Sequence, residues 1–126
     1  MTVAIVTPVY NEAIVLPELV GRLTRLFAEN SDYRWRAVLV DDGSRDDSAA
    51  IIAAAAERDP RFELVQLSRN FGFQSALAAG LAEASHADAV ITMDADLQDP
   101  PEVIPAMISA WRSGAEIVRA TRRTRS

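Results

Sequence analysis

Residues 93–102 read MDADLQDPPE, which places two aspartates one residue apart at the end of an apolar run, then a glutamine and two prolines. In extended backbone, side chains alternate between faces, so Asp94 and Asp96 would point the same way. Two carboxylates converging beyond a strand end repel each other unless a cation sits between them. Hard oxygen donors suit Mg2+ or Mn2+, which keep other positions for water and substrate phosphates. Gln98 would add a neutral amide oxygen on the same side if the chain stays extended. The competing reading is punctuation between a strand and a helix. Asp99-Pro100-Pro101-Glu102 has the pattern of a helix start: an acidic N-cap, a proline at the first helical position and a glutamate three residues after the cap. That pattern accounts for Asp99 and Glu102. It leaves Asp94 and Asp96, which precede the cap, to metal binding.

Three further segments carry polar groups just after apolar runs. In VDDGSRDDS (40–48), Gly43 permits a tight turn, and Asp46, Asp47 and Ser48 are suited to capping the following helix. Asp41, still on the strand, could accept a hydrogen bond from a nucleobase ring N–H, while Asp42 points the other way and is ambiguous. In TPVYNE (7–12), Pro8 and Tyr10 could wall a flat pocket for a base and Glu12 could accept from ribose hydroxyls. The plainer alternative makes Asn11 a helix-entry residue and Tyr10 a packing residue. In SRNFG (68–72), Arg69 could face a phosphate or a base, or pair with a nearby acid. His86 reads as a solvated loop residue, and Trp35 and Trp111 as packing.

The elements that must position these groups alternate strand and helix. Strands are expected over 3–9, 36–42, 62–68 and 87–96, with a fifth over 115–121 (AEIVRAT). Helices follow them. The first carries Leu16, Leu19, Val20, Leu23, Leu26 and Phe27 on one face, the second runs from about Asp46 to Glu57, and the third from about Gly72 to Ala84. The fourth carries Ile104, Met107, Ile108 and Trp111 on one stripe. Such alternation implies right-handed crossovers and a mostly parallel α/β sheet covered by helices. Strands that are apolar on both faces agree with this. In such sheets the ligand crevice lies beyond the carboxyl ends of the strands, at a switch in strand order, which is where all of these polar groups fall.

Composition narrows the classes. The chain has 126 residues, 49% hydrophobic and 25% charged, as expected of one globular, soluble domain or a piece of one. The absence of cysteine excludes disulfides and thiolate metal sites. A net charge of −5 argues against a general nucleic-acid binder. All 13 basic residues are arginines, and Arg119, Arg122, Arg123 and Arg125 crowd the last eight positions. The apolar runs fall short of a membrane span, and the start lacks the basic flank of a secretory signal. Ending in RATRRTRS, the chain is expected to be a fragment.

Taken in order, TPVYNE, VDDGSRDDS, LSRNFGFQSALAAGL and MDADLQDPPE resemble family 2 glycosyltransferases of the GT-A fold, over nearly the whole chain. The resemblance is strongest to the polyprenyl-phosphate branch, which includes dolichol-phosphate mannose synthases and bactoprenol glucosyltransferases. It implies a GT-A, Rossmann-like βαβ sandwich truncated after about the fifth strand, with residues 1–126 forming the nucleotide-sugar-binding half. It also implies that Asp94, Asp96 and Gln98 hold a Mg2+ or Mn2+ ion on the donor diphosphate, with Asp94 and Asp96 at the chemistry. Pro8, Tyr10, Glu12 and Asp41 would hold the nucleoside, and Arg122 would meet phosphate. Two positions depart from the family pattern: Ala120, where glycine is frequent, and the neighbourhood of Phe73, where a basic residue is. These leave the arginine register and donor preference open.

The implied donor is of the UDP-glucose or GDP-mannose type and the implied acceptor a polyprenyl phosphate, on the cytoplasmic face of a membrane. Acceptor loops and membrane helices would lie in the missing C-terminal part, and a homo-oligomer is not excluded. The alternatives are a nucleotide-sugar-binding module inactive as a fragment, or a family 2 transferase acting on a glycan hydroxyl. A phosphohydrolase with paired aspartates is disfavoured because its acids would follow the first strand. A dinucleotide oxidoreductase is disfavoured because no G-x-G-x-x-G follows that strand.

Overall fold

The computed structural model describes residues 1–98 and 100–112. Its elements run β1 (Thr2–Val9), α1 (Leu16–Glu29), β2 (Arg34–Asp41), α2 (Ser48–Arg58), β3 (Phe62–Gln66), α3 (Phe73–Glu83) and β4 (Ala89–Thr92), then a 3-10 turn (Pro101–Val103) that leads into α4 (Ile104–Arg112). The expected fifth strand lies outside the described residues, as do Asp99, Ala120 and Arg122.

All four strands are parallel, in the order β3-β2-β1-β4. β-Branched and aliphatic residues fill β1 and β2 on both faces, as a sheet sandwiched between helices requires. One face presents Val3, Ile5, Val9, Ala37, Leu39 and Ile91. These pack with Leu16, Leu19, Leu23 and Phe27 of α1, Ile52 and Ala55 of α2, and Ile104 and Ile108 of α4. The stripe expected on α1 is the stripe that is buried, and each fully buried Leu or Phe contributes about 1.5–3 kcal/mol.

The other face is thinner: Ala4, Val6, Val38 and Val40 meet Ala76 on α3 and Ala84 at its C-cap. The helix comes closest at Gly80, where an added Cβ would sit 2.3 Å from Val6 Cγ1 and 2.9 Å from Val40 Cγ2.

The ends of the elements follow local chemistry. α1 stops at Asn30, whose side-chain amide donates to the Leu26 carbonyl at 2.9 Å. Trp35 donates its ring N–H to the Asn30 carbonyl at 2.8 Å and stacks on Phe27 at 5.1 Å, with Phe62 tilted against Phe27. Trp35 is therefore a packing residue, as expected.

Some boundaries differ from expectation. β3 stops at Gln66 and β4 spans only Ala89–Thr92, so Asp94 and Asp96 lie beyond the strand instead of on it. The 3-10 turn begins at Pro101, with Pro100 extended before it. Glu102 takes a two-pronged hydrogen bond from Arg22 of α1, at 3.1 and 2.5 Å, while its expected cap partner Asp99 lies outside the described residues. That pairing holds the carboxyl of Glu102 below its ordinary pKa. The segment does serve as scaffold, through an ion pair to another helix.

Because β2 and β3 lie on one side of β1 and β4 on the other, the strand order switches at β1. The crevice expected of such a sheet opens between the carboxyl ends of β1 and β4. Among the described residues, no helix is long and apolar enough to cross a membrane.

Candidate functional site

Four loops meet at the carboxyl edge: 10–15 after β1, 42–47 after β2, 67–72 after β3, and 93–98 after β4. The first two are tied together by backbone-to-side-chain hydrogen bonds. Asn11 N donates to Ser44 Oγ at 2.8 Å, Glu12 N to Ser48 Oγ at 2.9 Å and Ala13 N to Asp46 Oδ2 at 3.1 Å, while Arg45 N donates back to Asn11 Oδ1 at 2.8 Å. Asn11 has φ 52°, a left-handed conformation that asparagine tolerates better than most residues. It forms the hinge of this tie and does not open the helix, since α1 begins at Leu16.

The second loop's polar residues do more than cap α2. Asp47 holds the N-cap position but makes no side-chain cap bond. Asp46 accepts from Ser48 N at 2.9 Å as well as from Ala13. A hydrogen bond from the Ser48 hydroxyl first, and then these backbone bonds, lower its pKa. Ser48 is fully buried. No pattern within either loop announces this tie, because its partners stand more than thirty positions apart in the chain. The only local hint is the density of short oxygen-bearing side chains.

Glu12 is thereby fixed beside the end of β4. Its carboxyl pKa is raised, first by burial and then by the charges of Asp96 and Asp46. The charges of Asp96, after β4, and Asp46, after β2, thus act on Glu12. Such a raised carboxyl is charged at a cost in the folded protein. That cost is present at pH above the raised value. It is relieved as pH falls toward the ordinary value near 4.5, because the folded state takes up the proton first. Glu12→Gln is accordingly expected to raise Tm by about 1–3 °C at neutral pH and by progressively less as the pH approaches the ordinary carboxyl range. Thermal melts across that range check it, and a lowered Tm at pH 7 would contradict it.

Asp41 closes β2 beside Val9 of β1 and is only 1% exposed. Its Oδ2 accepts a long bond from Ser44 N at 3.3 Å, and its Oδ1 is buried with no hydrogen-bond partner. Thr7, on the same face two residues earlier along β1, also has a buried hydroxyl without a partner. Buried polar atoms left unmatched cost about 1–3 kcal/mol each, so two of them near one strand end single out this corner.

Pro8 is half-buried and Tyr10 is 43% exposed. Together with Val9, Asp42, Asn70, Gly72 and Phe73 they line a cleft of about 240 Å3. A larger cavity, about 330 Å3, lies at the opposite end of the sheet against Thr2, Arg34, Arg36 and the exposed His86. It is remote from every candidate residue. Arg69 is exposed and lays its guanidinium over the Phe71 ring at 4.2 Å from the centroid.

Past β4 the alternation expected for Asp94, Asp96 and Gln98 gives way to a turn. Ala95 is buried, Asp96 is exposed, and Leu97 has φ 63°. Asp96 Oδ1 accepts from Gln98 N at 3.1 Å, closing the turn. A common side for these three residues therefore does not follow from strand alternation. Among the described residues, no group of three or more His, Cys, Asp and Glu is arranged to hold a metal ion. Asp94 and Asp96 are the carboxylates that follow β4 at this edge, and the charge of Asp96 acts on Glu12.

Comparison with known proteins agrees with this architecture. Residues 4–126 match the family described as Glycosyl transferase family 2. An undecaprenyl-phosphate 4-deoxy-4-formamido-L-arabinose transferase of Pseudomonas syringae pv. syringae is 50% identical over 98% of this chain and 36% of its own length. A bactoprenol glucosyl transferase of Shigella phage SfV is 44% identical over 100% of this chain and 40% of its own. A mannosyltransferase of Pyrobaculum calidifontis, solved in complex with GDP-Man and Mn2+, superposes with a TM-score of 0.73 at 25% identity, covering 91% of this chain and 33% of that one. The chain thus spans little more than a third of the length of these relatives.

Proposed function

We propose, since the chain belongs to glycosyl transferase family 2, that residues 1–126 form the nucleotide-sugar-binding half of a transferase moving a sugar from a UDP- or GDP-linked donor to a polyprenyl phosphate. The fold is of the GT-A type, as in the solved mannosyltransferase. The observation that carries the donor reading is Asp41: a buried carboxylate with an unmatched oxygen at the carboxyl end of the sheet. A nucleobase ring N–H is a donor of the kind that oxygen lacks. Pro8 and Tyr10 flank the cleft where a planar base would lie, and Glu12 would accept from ribose hydroxyls. Arg69 and Arg122 are assigned to the base or phosphates, Arg122 from the resemblance alone.

A divalent cation fits the acids that are present. Burial and then the charges of Asp96 and Asp46 raise the Glu12 pKa, so this edge is rich in carboxylate, and carboxylate oxygens are hard donors. Mg2+ is commonly held by one or two protein carboxylates with substrate phosphates completing its shell, which matches a site of two aspartates without a third acidic ligand. Asp94 and Asp96 would hold the ion, with Gln98 beside them. When bound, it would neutralise the departing nucleoside diphosphate as a Lewis acid.

The reaction assigned is inverting. A phosphate oxygen of the acceptor forms the bond to the anomeric carbon as the bond to the donor diphosphate breaks, and the electron pair leaves with the nucleoside diphosphate. A phosphate monoester, with a second pKa of about 6, is already largely dianionic at neutral pH and needs no strong general base. A glycan hydroxyl would need one. Membrane attachment would belong to parts of the full protein outside this chain.

Asp41→Asn tests the donor reading. It is expected to weaken UDP or GDP binding at least about tenfold while leaving Tm close to that of the parent, because the amide keeps the size of the carboxyl and an acceptor oxygen for Ser44 N. Calorimetry and thermal melts read the two effects together. Unchanged nucleotide affinity would remove Asp41 from the site.

A further inference from the structure

Asp42 lines the cleft beside Pro8 and Tyr10 but is given no nucleotide contact above, and it is the more heavily bonded of the two adjacent aspartates. It is 4% exposed. Its Oδ1 accepts from Phe71 N at 2.8 Å, and its Oδ2 from Gly72 N at 3.1 Å and from Asn70 Nδ2 at 3.3 Å. The same Asn70 amide donates to the Asp42 carbonyl at 3.1 Å. α3 has glycine at its N-cap and no side-chain cap bond of its own, so a carboxylate from the end of β2 supplies one. Next to it, Gly43 lies against the Arg69 and Asn70 backbone so closely that a Cβ would fall 2.3 Å from either. Asn70 and Gly72 line the cleft together with Pro8 and Tyr10, and Phe71 carries the Arg69 guanidinium.

We propose that Asp42 is a positioning residue for nucleotide binding: by clamping the 70–72 backbone it fixes one wall of the cleft and, through Phe71, the place of Arg69. The proposal rests on the donor-binding reading above. It differs from simple helix capping in what it requires of Arg69. A cap stabilises α3 whether or not a nucleotide is present. A positioning clamp transmits its effect to the ligand through the groups it holds.

The isosteric Asp42→Asn replaces an acceptor oxygen with a second donor, facing either the Gly72 and Asn70 donors or the Phe71 amide. Binding of UDP and of GDP, each with Mn2+ in excess, is measured for the protein, for Asp42→Asn, for Arg69→Met and for the double variant. Asp59→Asn serves as a stability control, because the Asp59 carboxylate bonds Arg61, in the turn that opens β3 and away from the cleft. Asp42→Asn is expected to weaken nucleotide binding about tenfold, and the double variant is expected to bind within about twofold of Arg69→Met alone, since coupled residues are non-additive. Asp59→Asn is expected to lower Tm with affinity unchanged. The inference is overturned if Asp42→Asn lowers Tm but binds as the parent does, or if the two penalties multiply. If the parent binds neither nucleotide, the donor reading fails and the inference fails with it, a result distinct from binding that ignores Asp42.

Discussion

Asp96→Ala is expected to abolish the strengthening of UDP or GDP binding by Mn2+ or Mg2+ and to cut sugar transfer by the full-length enzyme at least 10²–10³-fold, roughly the cost of losing one transition-state charge stabiliser. Asp96 is exposed, and its Oδ1 accepts from Gln98 N within its own turn. Its charge also acts on Glu12 in the β1 loop. Removing the carboxylate should leave the fold intact, because Asp96 takes no part in the apolar core and Ala95 and Met93 hold the turn down beside it. The same substitution should lower the Glu12 pKa, since one of its two charged neighbours is gone. Calorimetry with and without metal, run with a thermal melt, is the direct check. Metal-enhanced nucleotide binding that survives in Asp96→Ala would dismiss the cation role of this residue.

The largest expected effect on stability is at Gly43. Its φ is +69°, and a Cβ there would lie 2.3 Å from Arg69 C, 2.3 Å from Asn70 N and 2.8 Å from Arg69 Cα. All three are backbone atoms of a loop already bonded to Asp42, so the obstruction cannot rotate away as a side chain would. A left-handed alanine costs about 1 kcal/mol and overpacking commonly costs about 1–3 kcal/mol. Gly43→Ala is therefore expected to lose about 2–4 kcal/mol, a large share of a typical domain's stability, and to lower Tm by about 10 °C. Gly21→Ala is the matched control. Gly21 sits within α1 with nothing within 4 Å of an added Cβ, and alanine is the better helix former there by about 1 kcal/mol. Its Tm should rise. A Gly43→Ala protein that melts with the parent would mean that the two loops do not approach as described.

Much of the fold was legible because it rests on period and residue type. The apolar strands, the Leu16–Phe27 stripe and the strand–helix alternation each constrain structure locally, and the parallel sheet follows from their order. The family was legible for the same reason, since its motifs are short contiguous runs at the ends of strands. Glu12, Asp41 and Asp96 were read as candidates because they are carboxylates at or just after the ends of apolar strands.

Other features needed the tertiary structure, for a physical reason. Strand alternation could not place Asp94, Asp96 and Gln98, because β4 ends at Thr92 and the chain turns, with Leu97 at positive φ. Where a strand stops is set by its neighbours' hydrogen bonds, and those are not local. Asp46 and Ser48 read as helix caps in sequence, yet they hold the β1 loop across 33 and 36 positions. Asp42 was ambiguous until its three donors appeared from the loop after β3. By itself the sequence determined the family and which polar residues stand at the strand ends, the groups proposed to bind a nucleotide sugar and a cation. Which of them meet, and which only hold the others in place, was decided by long-range hydrogen bonds between loops that share one edge of the sheet.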